Sequence, residues 1–302
     1  MKKFLYGCLL LCCLIMLVPQ SGLAGKAASG ETGFKTEGKN VFYYKNGVMQ
    51  KKWLTIGGKK YYFSKSGAML KGWQKINKKW YHFNSKGVFV GTKRNKTIVL
   101  DPGHSGKMPG GVEPLGPGSG EVKAKDAVGT QGVATGVPEY KLTLIIAVKL
   151  KAELELRGYD VIMTRSSNDK AISCAARAKI ANKAKANAYL RIHANGSSDS
   201  AVNGAMTMCT TKSNPYVPAG LYRKNKKLST TILNSYVKAT GAKKEFVWET
   251  DTMSGNNWSK VPTTIVEMGY MTNPKEDRNM QKKSYQKKMI QGLANGIDEF
   301  FK

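Results

Sequence analysis

Short aromatic segments recur along the first third of the chain, each followed by a polar turn that contains glycine. The turn glycines stand at Gly47, Gly67 and Gly87, a spacing of 20 residues. Aromatic runs that end in glycine turns are typical of β-hairpins. One such hairpin is too small to bury its own aromatic side chains, so neighbouring hairpins have to pack together. The pattern therefore predicts a small all-β repeat module of stacked hairpins over residues 38–95.

From Thr97 onward the pattern changes to short apolar runs that alternate with longer segments of helical periodicity. The runs predict strands over residues 97–100, 159–163, 188–193 and 263–268, and helices over residues 140–157, 171–185, 225–240 and 284–301. Strands and helices in alternation indicate an α/β fold with a largely parallel sheet. In sheets of this kind, functional sites gather at the carboxyl ends of the strands.

The first 24 residues have the three parts of a secretory signal peptide. Lys2 and Lys3 precede an apolar run over residues 4–18, and small residues precede a cleavage point after Ala24. The run is shorter than the roughly 20 residues that span a bilayer. We therefore expect a secreted protein with no stable membrane insertion after cleavage, the alternative being an uncleaved anchor. Residues 25–37 are predicted to be a flexible lead-in, and residues 96–302 a second domain.

The charge of the chain narrows the choice of partner. The 302 residues carry a net charge of +29, and residues 25–95 alone hold 16 Lys and Arg against two acids. Such an excess favours an anionic partner: nucleic acid, acidic lipid or an acidic cell-wall polymer. Export argues against nucleic acid. The two cysteines beyond the predicted leader, Cys174 and Cys209, are too few for a disulfide framework and are predicted to be buried, with their pairing left open.

Titratable side chains end three of the predicted strands. Asp-Pro-Gly-His ends at His104, Arg-Ile-His at His193, and Ile-Val-Glu at Glu267. Two imidazoles and a carboxylate, with one position left for water, form a hydrolytic zinc arrangement. Such a site needs a further carboxylate as general base. Glu139 and Glu267 are the candidates, and their spacing does not assign the two roles. The alternative is that these side chains are polar residues of the core.

These motifs resemble a known family. The segments 101–104, 139–142, 161–165, 176–182, 191–195 and 266–273 are similar, in order, to the zinc-dependent type 3 N-acetylmuramoyl-L-alanine amidases. The resemblance implies a mostly parallel six-stranded sheet with helices on both faces. It also implies that His104, Glu139 and His193 bind Zn²⁺ and that Glu267 is the catalytic acid/base. The implied reaction is hydrolysis, by zinc-activated water, of the amide between the muramoyl lactyl group and L-alanine in peptidoglycan.

The hairpin module resembles the cell-wall-binding repeats of Gram-positive bacteria, including choline-binding repeats. Its stretch over residues 38–92 has twelve lysines and no acid. The resemblance implies a protein held on the cell wall, and the charge favours adhesion to an anionic wall polymer such as teichoic acid. The alternative is a spacer whose aromatic side chains only pack on one another. His82 is interpreted as structural.

Two other functions compete with the amidase. One is a wall-binding protein with an inactive catalytic domain, and the other is a zinc peptidase that acts elsewhere on the stem peptide. The chain lacks the His-Glu-x-x-His motif of the common metalloproteases.

The insert over residues 105–138 is rich in glycine and proline. It is predicted to be a loop at the rim of the site. It either shapes peptide specificity, closes as a lid, or is a mobile surface loop. Arg177, Asn195 and residues 256–258 are candidates for lining the substrate groove, against ordinary roles in folding.

Overall fold

The computed structural model describes residues 30–302. The predicted signal peptide lies outside the described residues. Contacts separate residues 30–72 with 84–89 from residues 73–83 with 90–302. The hairpin strands are β1 (Gly33–Glu37), β2 (Asn40–Lys45), β3 (Val48–Met49), β4 (Lys52–Ile56), β5 (Lys59–Phe63), β6 (Gly72–Ile76), β7 (Lys79–Phe83) and β8 (Phe89–Thr92).

The repeat period of 20 residues has a direct packing cause. Gly67 and Gly87 both have positive φ angles, +85° and +75°. A Cβ atom at Gly67 would overlap the side chain of Met49, and one at Gly87 would overlap that of Met69. Gly67 and Gly87 thus each lie against the methionine that ends the preceding repeat. Only glycine satisfies both demands, the left-handed backbone and the close approach.

Aromatic contacts join neighbouring hairpins, as the repeat pattern predicts. Phe34 contacts Tyr61 edge to face at 5.3 Å between ring centroids, and Trp53 contacts Phe89 at 5.4 Å. Phe34 lies in β1, which pairs with β2 along its whole length. The prediction of a flexible lead-in is therefore wrong for Gly33–Glu37, because these residues pair as a strand and Phe34 contacts the rings of Tyr43 and Tyr61. His82 is buried and stacks on Trp73, consistent with a structural role.

The larger part of the chain, from residue 97, forms the α/β domain. Its strands are β9 (Thr97–Pro102), β10 (Val112–Pro114), β11 (Val122–Ala124), β12 (Asp160–Met163), β13 (Ala188–Asn195), β14 (Ala205–Cys209), β15 (Lys244–Glu249) and β16 (Thr263–Tyr270). Its helices are α1 (Glu139–Leu156), α2 (Cys174–Lys183), α3 (Ala219–Thr240), α4 (Ser254–Asn257), α5 (Pro274–Gln281) and α6 (Lys283–Phe300).

Six of these strands form one sheet in the order β12-β9-β13-β16-β14-β15. The neighbours β12, β9, β13 and β16 are parallel, β14 runs antiparallel to β16, and β15 runs parallel to β14. The predicted fold class, a mostly parallel six-stranded sheet with helices, is confirmed. The parallel half brings the carboxyl ends of β9, β13 and β16 to one edge.

The two faces of the sheet are covered differently. One face packs on α1, α3 and α6 and forms the main core, with fully buried Leu150, Val266 and Ile297. The other face carries a smaller cluster around Val99, Tyr189 and residues of α2. The predicted site residues His193 and Glu267 lie on this second face with Asp101 and Arg191, because these four residues alternate with the main-core residues along their strands.

The predicted helices and strands are present, with ends that move by a few residues. Strands β14 and β15 were not predicted. In β14 all five residues are buried, so its sequence does not alternate. In β15 the apolar Phe246 and Trp248 are exposed while Glu245 and Glu249 are half-buried, which reverses the usual order.

The insert is more ordered than a plain loop. It contains the β10–β11 hairpin, and its second half is held by the buried Asp277, which accepts hydrogen bonds from the amides of Ala134 and Thr135 at 2.9 and 2.8 Å. In the described part of the chain no helix combines the length and the apolar character that crossing a bilayer requires. Both cysteines are free thiols. Cys209 is buried and Cys174 half-buried.

Candidate active site

Three of the predicted site residues meet at the carboxyl edge of the parallel strands. His104 follows β9, His193 lies near the end of β13, and Glu139 is the first residue of α1. Their ligand atoms lie within 4.8 Å of one another. His104 Nε2 is 3.2 Å from Glu139 Oε2, His193 Nδ1 is 3.1 Å from Glu139 Oε1, and the two histidine nitrogens are 3.2 Å apart. This arrangement can hold a metal ion.

Two glycines make room for the cluster. The His193 ring lies so close to Gly103 that a Cβ there would overlap three ring atoms. Gly129, in the insert, has a φ of +81°, and a Cβ on it would lie 2.8 Å from Glu139 Oε2 and from the His104 ring. Any side chain at either position would displace a side chain of the cluster. The insert therefore borders the site directly.

His104 is fixed by its backbone and by its second ring nitrogen. Its φ is +56°, the left-handed region that non-glycine residues seldom adopt. Its Nδ1 donates to the carbonyl of Ala127 at 2.8 Å and lies 3.4 Å from Asp126 Oδ1. Because Nδ1 carries the proton, Nε2 is free to act as a ligand. Metal-bound histidines are commonly oriented by such a partner on the other nitrogen.

Glu139 is buried and held at both carboxylate oxygens. The amide of Ala194 donates to Oε1 and the amide of Thr130 donates to Oε2, each at 3.0 Å. Burial alone would raise the pKa of Glu139, but hydrogen bonds from His104 and His193 outweigh it and hold this pKa well below its usual range. The carboxylate is therefore ionised at neutral pH. It carries the negative charge that a cation needs.

The two histidines of the cluster differ in basicity. Burial lowers the pKa of His104, but the hydrogen bonds that its ring donates to Asp126 and Glu139 outweigh it and raise this pKa to about 10. Burial lowers the pKa of His193. Asp126 and Glu139 thus stabilise a positive charge between them. A bound cation would supply that charge with both imidazoles neutral.

Glu267 stands beside the cluster on the next strand. It pairs in register with His193, so the two side chains project from the same face. Burial, reinforced by the nearby Glu139 carboxylate, raises the pKa of Glu267 to about 8. Within the described residues, its Oε2 atom is buried without a hydrogen-bond partner. A carboxyl group of this kind can both take and give a proton near neutral pH.

A buried ionic network lies beneath the site. Asp101 is fully buried and accepts from Arg177 at 2.9 Å and from Arg191 at 3.0 Å. Arg177 also donates to Asp126 at 3.0 Å, and to the carbonyl of His104 at 2.9 Å. Arg177 thereby connects Asp101, at the end of β9, to the backbone of His104 and to Asp126, the carboxylate that orients His104.

The other predicted groove residues have roles in folding. Arg177 is buried in the network described above. Asn257 is buried and donates to the carbonyls of Leu115 and Asp251, while Trp258 donates to the carbonyl of Pro114 at 2.9 Å. Asn195 accepts from the amide of the next residue.

Sequence reasoning missed Asp126 and Ala127, which orient His104. They lie inside the glycine-rich insert without a motif, and only folding brings them to the ligand. Asp101 was noticed as part of the first motif but received no role.

Comparison with known proteins decides the family. Residues 98–299 match the family model described as N-acetylmuramoyl-L-alanine amidase, and this range includes all four site residues. The chain belongs to this amidase family. Residues 51–69 and 71–89 match the model described as a putative cell wall binding repeat. We call residues 98–299 the amidase domain and residues 33–92 the repeat hairpins.

Individual relatives agree with this assignment. An N-acetylmuramoyl-L-alanine amidase of Mycobacterium tuberculosis is 26% identical over 211 residues, which cover 67% of this chain and 85% of the relative. The amidase LytC of Bacillus subtilis is 25% identical over 207 residues, 68% of this chain but only 36% of LytC. The solved structure of the amidase Ami1 of Mycobacterium abscessus has a TM-score of 0.63 and 25% identity, covering 69% of this chain and 99% of that one. Family membership supports peptidoglycan amidase activity.

Proposed function

We propose that the protein is a secreted, zinc-dependent hydrolase of peptidoglycan. It cleaves the amide between the lactyl group of N-acetylmuramic acid and the L-alanine of the stem peptide. The observation that carries the proposal is the cluster of His104, Glu139 and His193 beside Glu267, inside a domain of the amidase family.

The cluster suits Zn²⁺ in both chemistry and size. Two imidazole nitrogens and one carboxylate oxygen are a common ligand set for catalytic zinc, with one position left open. Ligands at about 2.0–2.1 Å in a tetrahedron lie roughly 3.3 Å apart. The closest atom pairs of the cluster already lie 3.1–3.2 Å apart, with the two histidines against different oxygens of Glu139. Small shifts of the side chains would accommodate the ion.

The zinc ion would polarise the scissile carbonyl and make the attacking water more acidic. The protein's own side chains hold the cluster in place and transfer the proton. Glu139 stays ionised and is fixed by two backbone amides, so it keeps its place while charge develops beside it. Asp126 and the carbonyl of Ala127 hold the His104 ring with Nε2 directed at the cluster.

Glu267 moves the proton. Its unpaired Oε2 accepts the proton of the attacking water, and the same carboxyl then donates it to the nitrogen of the leaving L-alanine. Its elevated pKa suits this double role, because proton transfer is most efficient when the pKa of the group lies near the working pH. A nearby cation favours the ionised form of Glu267 and so prepares it to act first as a base.

The repeat hairpins provide attachment to the wall. All twelve of their lysines between residues 38 and 92 are exposed to solvent. A surface with this charge attracts an anionic polymer through many weak contacts, each screened by salt. We propose that teichoic acid or a similar wall polymer is the ligand. Secretion through the predicted signal peptide at residues 1–24 places the protein at that wall.

Analysis of the reaction products by mass spectrometry tests the proposal. Purified peptidoglycan treated with the zinc-loaded protein should release peptides with a free L-alanine amino terminus and leave the glycan strands intact. Cleaved cross-links or shortened peptides would instead indicate a peptidase. Absence of any product with zinc-loaded, folded protein would indicate a wall-binding protein without catalysis. Wall binding that does not weaken with added salt would contradict the role proposed for the lysines.

A further inference from the structure

The sheet face that carries Glu267 continues past the site to the edge strand β15. Ile265 pairs with Met208 of β14, and Met208 pairs with Trp248 of β15. Residues that pair directly across neighbouring strands project from the same face of a sheet. Ile265 lies two positions before Glu267 and therefore shares its face. The site and the β15 side chains thus lie on one face of the sheet, with the buried Met206 and Met208 of β14 between them.

A small cavity opens at the site itself. It has a volume of about 250 Å³, and besides His104, His193 and Glu267 its lining includes Ile265, Met253 and Met208, the residue of β14 that pairs with Trp248. Typical small-molecule pockets are larger, about 300–1,000 Å³. The cavity therefore seats only part of a polymeric substrate, and the rest has to extend over the neighbouring surface.

That neighbouring surface exposes two aromatic side chains. Phe246 is 54% exposed and Trp248 is 42% exposed. Val247, which lies between them, and its β14 partner Thr207 face the helices on the other side of the sheet. From β16 to β15 is two strand spacings, about 10 Å. Large aromatic side chains exposed together beside a site are more typical of a binding surface than of a random exterior.

We infer that Phe246 and Trp248 form a glycan-binding platform that holds the sugar chain next to the cleaved bond. The inference rests on the proposed function. In that reaction the attacked carbonyl belongs to a lactyl group attached to a sugar ring, so at least one ring lies a few bonds from the attacked carbonyl and close to Glu267. The next rings of the glycan chain then lie at about the distance of Phe246 and Trp248 from the site.

The chemistry of the platform matches a sugar. A pyranose ring presents C–H groups on its face, and these pack flat against an aromatic ring while the hydroxyl groups stay in water. A half-exposed tryptophan or phenylalanine offers one apolar face in this way and demands no desolvation of charge. The stem peptide, by contrast, carries carboxylates and amides, which an aromatic surface does not satisfy.

The experiment compares two substrates in the full-length, zinc-loaded protein. One is a single muramoyl sugar bearing the stem peptide, and the other is a glycan oligomer bearing the same peptide. We expect Trp248→Ala to raise KM for the oligomer roughly 5- to 10-fold, the size expected of one aromatic stacking contact. Its kinetics on the single sugar should be unchanged. Trp248→Phe should recover most of the loss, because it keeps an aromatic face.

The matched control is Ile162→Ala. Ile162 is 40% exposed on β12, the opposite edge strand of the same sheet, so its truncation removes apolar surface away from the platform. It should not change KM for either substrate. A second readout is calorimetric binding of a peptide-free oligosaccharide of alternating N-acetylglucosamine and N-acetylmuramic acid. High salt in this assay suppresses attraction to the lysines, and Trp248→Ala should still lower the affinity.

The outcomes separate this inference from the proposed function. A wild-type protein that cleaves neither substrate would refute the function. If the wild type cleaves both and Trp248→Ala matches it on both, the platform is wrong and the amidase stands. Equal losses on both substrates, or a loss that follows peptide length instead of glycan length, would also overturn the platform. So would a change from dimer to monomer in Trp248→Ala, because the surface would then bind a second copy of the chain.

Discussion

The repeat hairpins and the amidase domain present their functional groups in opposite ways. In the hairpins the twelve lysines between residues 38 and 92 are all exposed and are spread over the whole segment. In the amidase domain four buried or half-buried side chains, from four distant parts of the chain, converge at one edge of a sheet. Attachment to a polyanion needs only a density of charge, whereas hydrolysis needs a fixed geometry.

This difference has an energetic consequence. Exposed charges contribute small and nearly additive free energies, and salt screens them. Buried charges depend on each partner, so the loss of one partner leaves an uncompensated charge. We therefore expect single substitutions to have large effects in the amidase domain and small effects in the repeat hairpins. The following predictions test that contrast, from the largest effect to the smallest.

Substitution of a ligand should have the largest effect. His104→Ala removes one of three ligands, and we expect the purified protein to lose both its zinc and its detectable hydrolysis of peptidoglycan. Elemental analysis and product release measure the two losses. Binding to purified walls should remain at the wild-type level, because the repeat hairpins are untouched. Zinc content equal to the wild type would remove His104 from the ligand set.

Loss of the acid/base should leave the metal in place. Glu267→Gln keeps the size of the side chain but cannot accept a proton, so hydrolysis should fall by about 10²–10⁴-fold, the usual contribution of a general acid/base. Zinc content should stay at the wild-type value. A variant that digests peptidoglycan at the wild-type rate would show that another group moves the proton.

Loss of the buried Arg177 side chain should lower the free energy of unfolding. Arg177→Met leaves Asp101 and Asp126 without a shared partner, and breaking a buried pair of this kind costs about 3–5 kcal/mol in free energy of unfolding. Urea denaturation measures the change. The control is Arg223→Met, because Arg223 is exposed on α3 and its loss should change stability by no more than about 0.5 kcal/mol. Equal effects of the two substitutions would contradict the network.

The raised pKa of Glu267 predicts a pH effect in the metal-free protein. In the folded state Glu267 holds its proton up to about pH 8, whereas its ordinary pKa is 4.5. Between these values the folded state binds more protons than the unfolded state, so this group makes stability fall as pH rises. Glu267→Gln lacks the effect. Its free energy of unfolding should therefore rise relative to the wild type across this window, as urea denaturation at both ends can show. A constant difference would refute the shift.

Single charges in the repeat hairpins should have the smallest effect. Lys51→Gln with Lys52→Gln removes two exposed charges, and at roughly 0.2–1 kcal/mol for each exposed contact wall affinity should fall by about 2- to 30-fold. A pull-down assay with purified walls at increasing salt measures the change. The control is Lys287→Gln with Lys288→Gln, an adjacent exposed pair on α6, which should leave wall binding unchanged. A complete loss from the first pair alone would indicate a specific pocket instead of a charged surface.

Much of the site was predictable because its motifs sit at the ends of apolar runs. Apolar runs in the sequence mark the strands that His104, His193 and Glu267 follow or end, and parallel strands bring such ends together. The sequence evidence for a functional role of Glu139 was weak by itself, since an acid at the start of a helix is usually explained by the helix dipole. It gained its role from the family resemblance. The structure then places its ligand oxygens next to both histidines.

Other parts of the site had no local signal. Asp126 and Ala127 act on His104 from a glycine-rich insert, and nothing in the insert distinguishes them from their neighbours. Strand β15 was missed because its aromatic side chains are exposed and its acids are half-buried, with Glu249 accepting from Tyr222 of α3, the reverse of the expected pattern. The platform inferred at Phe246 and Trp248 is invisible for the same reason.

The sequence by itself determined the period of the hairpins, the alternation of strands and helices, the basic charge and the motifs that carry His104, Glu139, His193 and Glu267. These features depend on residues close together in the chain, where spacing and residue type are enough. Only the tertiary structure decided which groups orient His104. It also decided that Arg177 belongs to the buried ionic network and not to the substrate groove, and that β15 extends the sheet face that carries Glu267. The physical reason is that burial, hydrogen bonding and shared sheet faces depend on residues that meet only after the chain has folded.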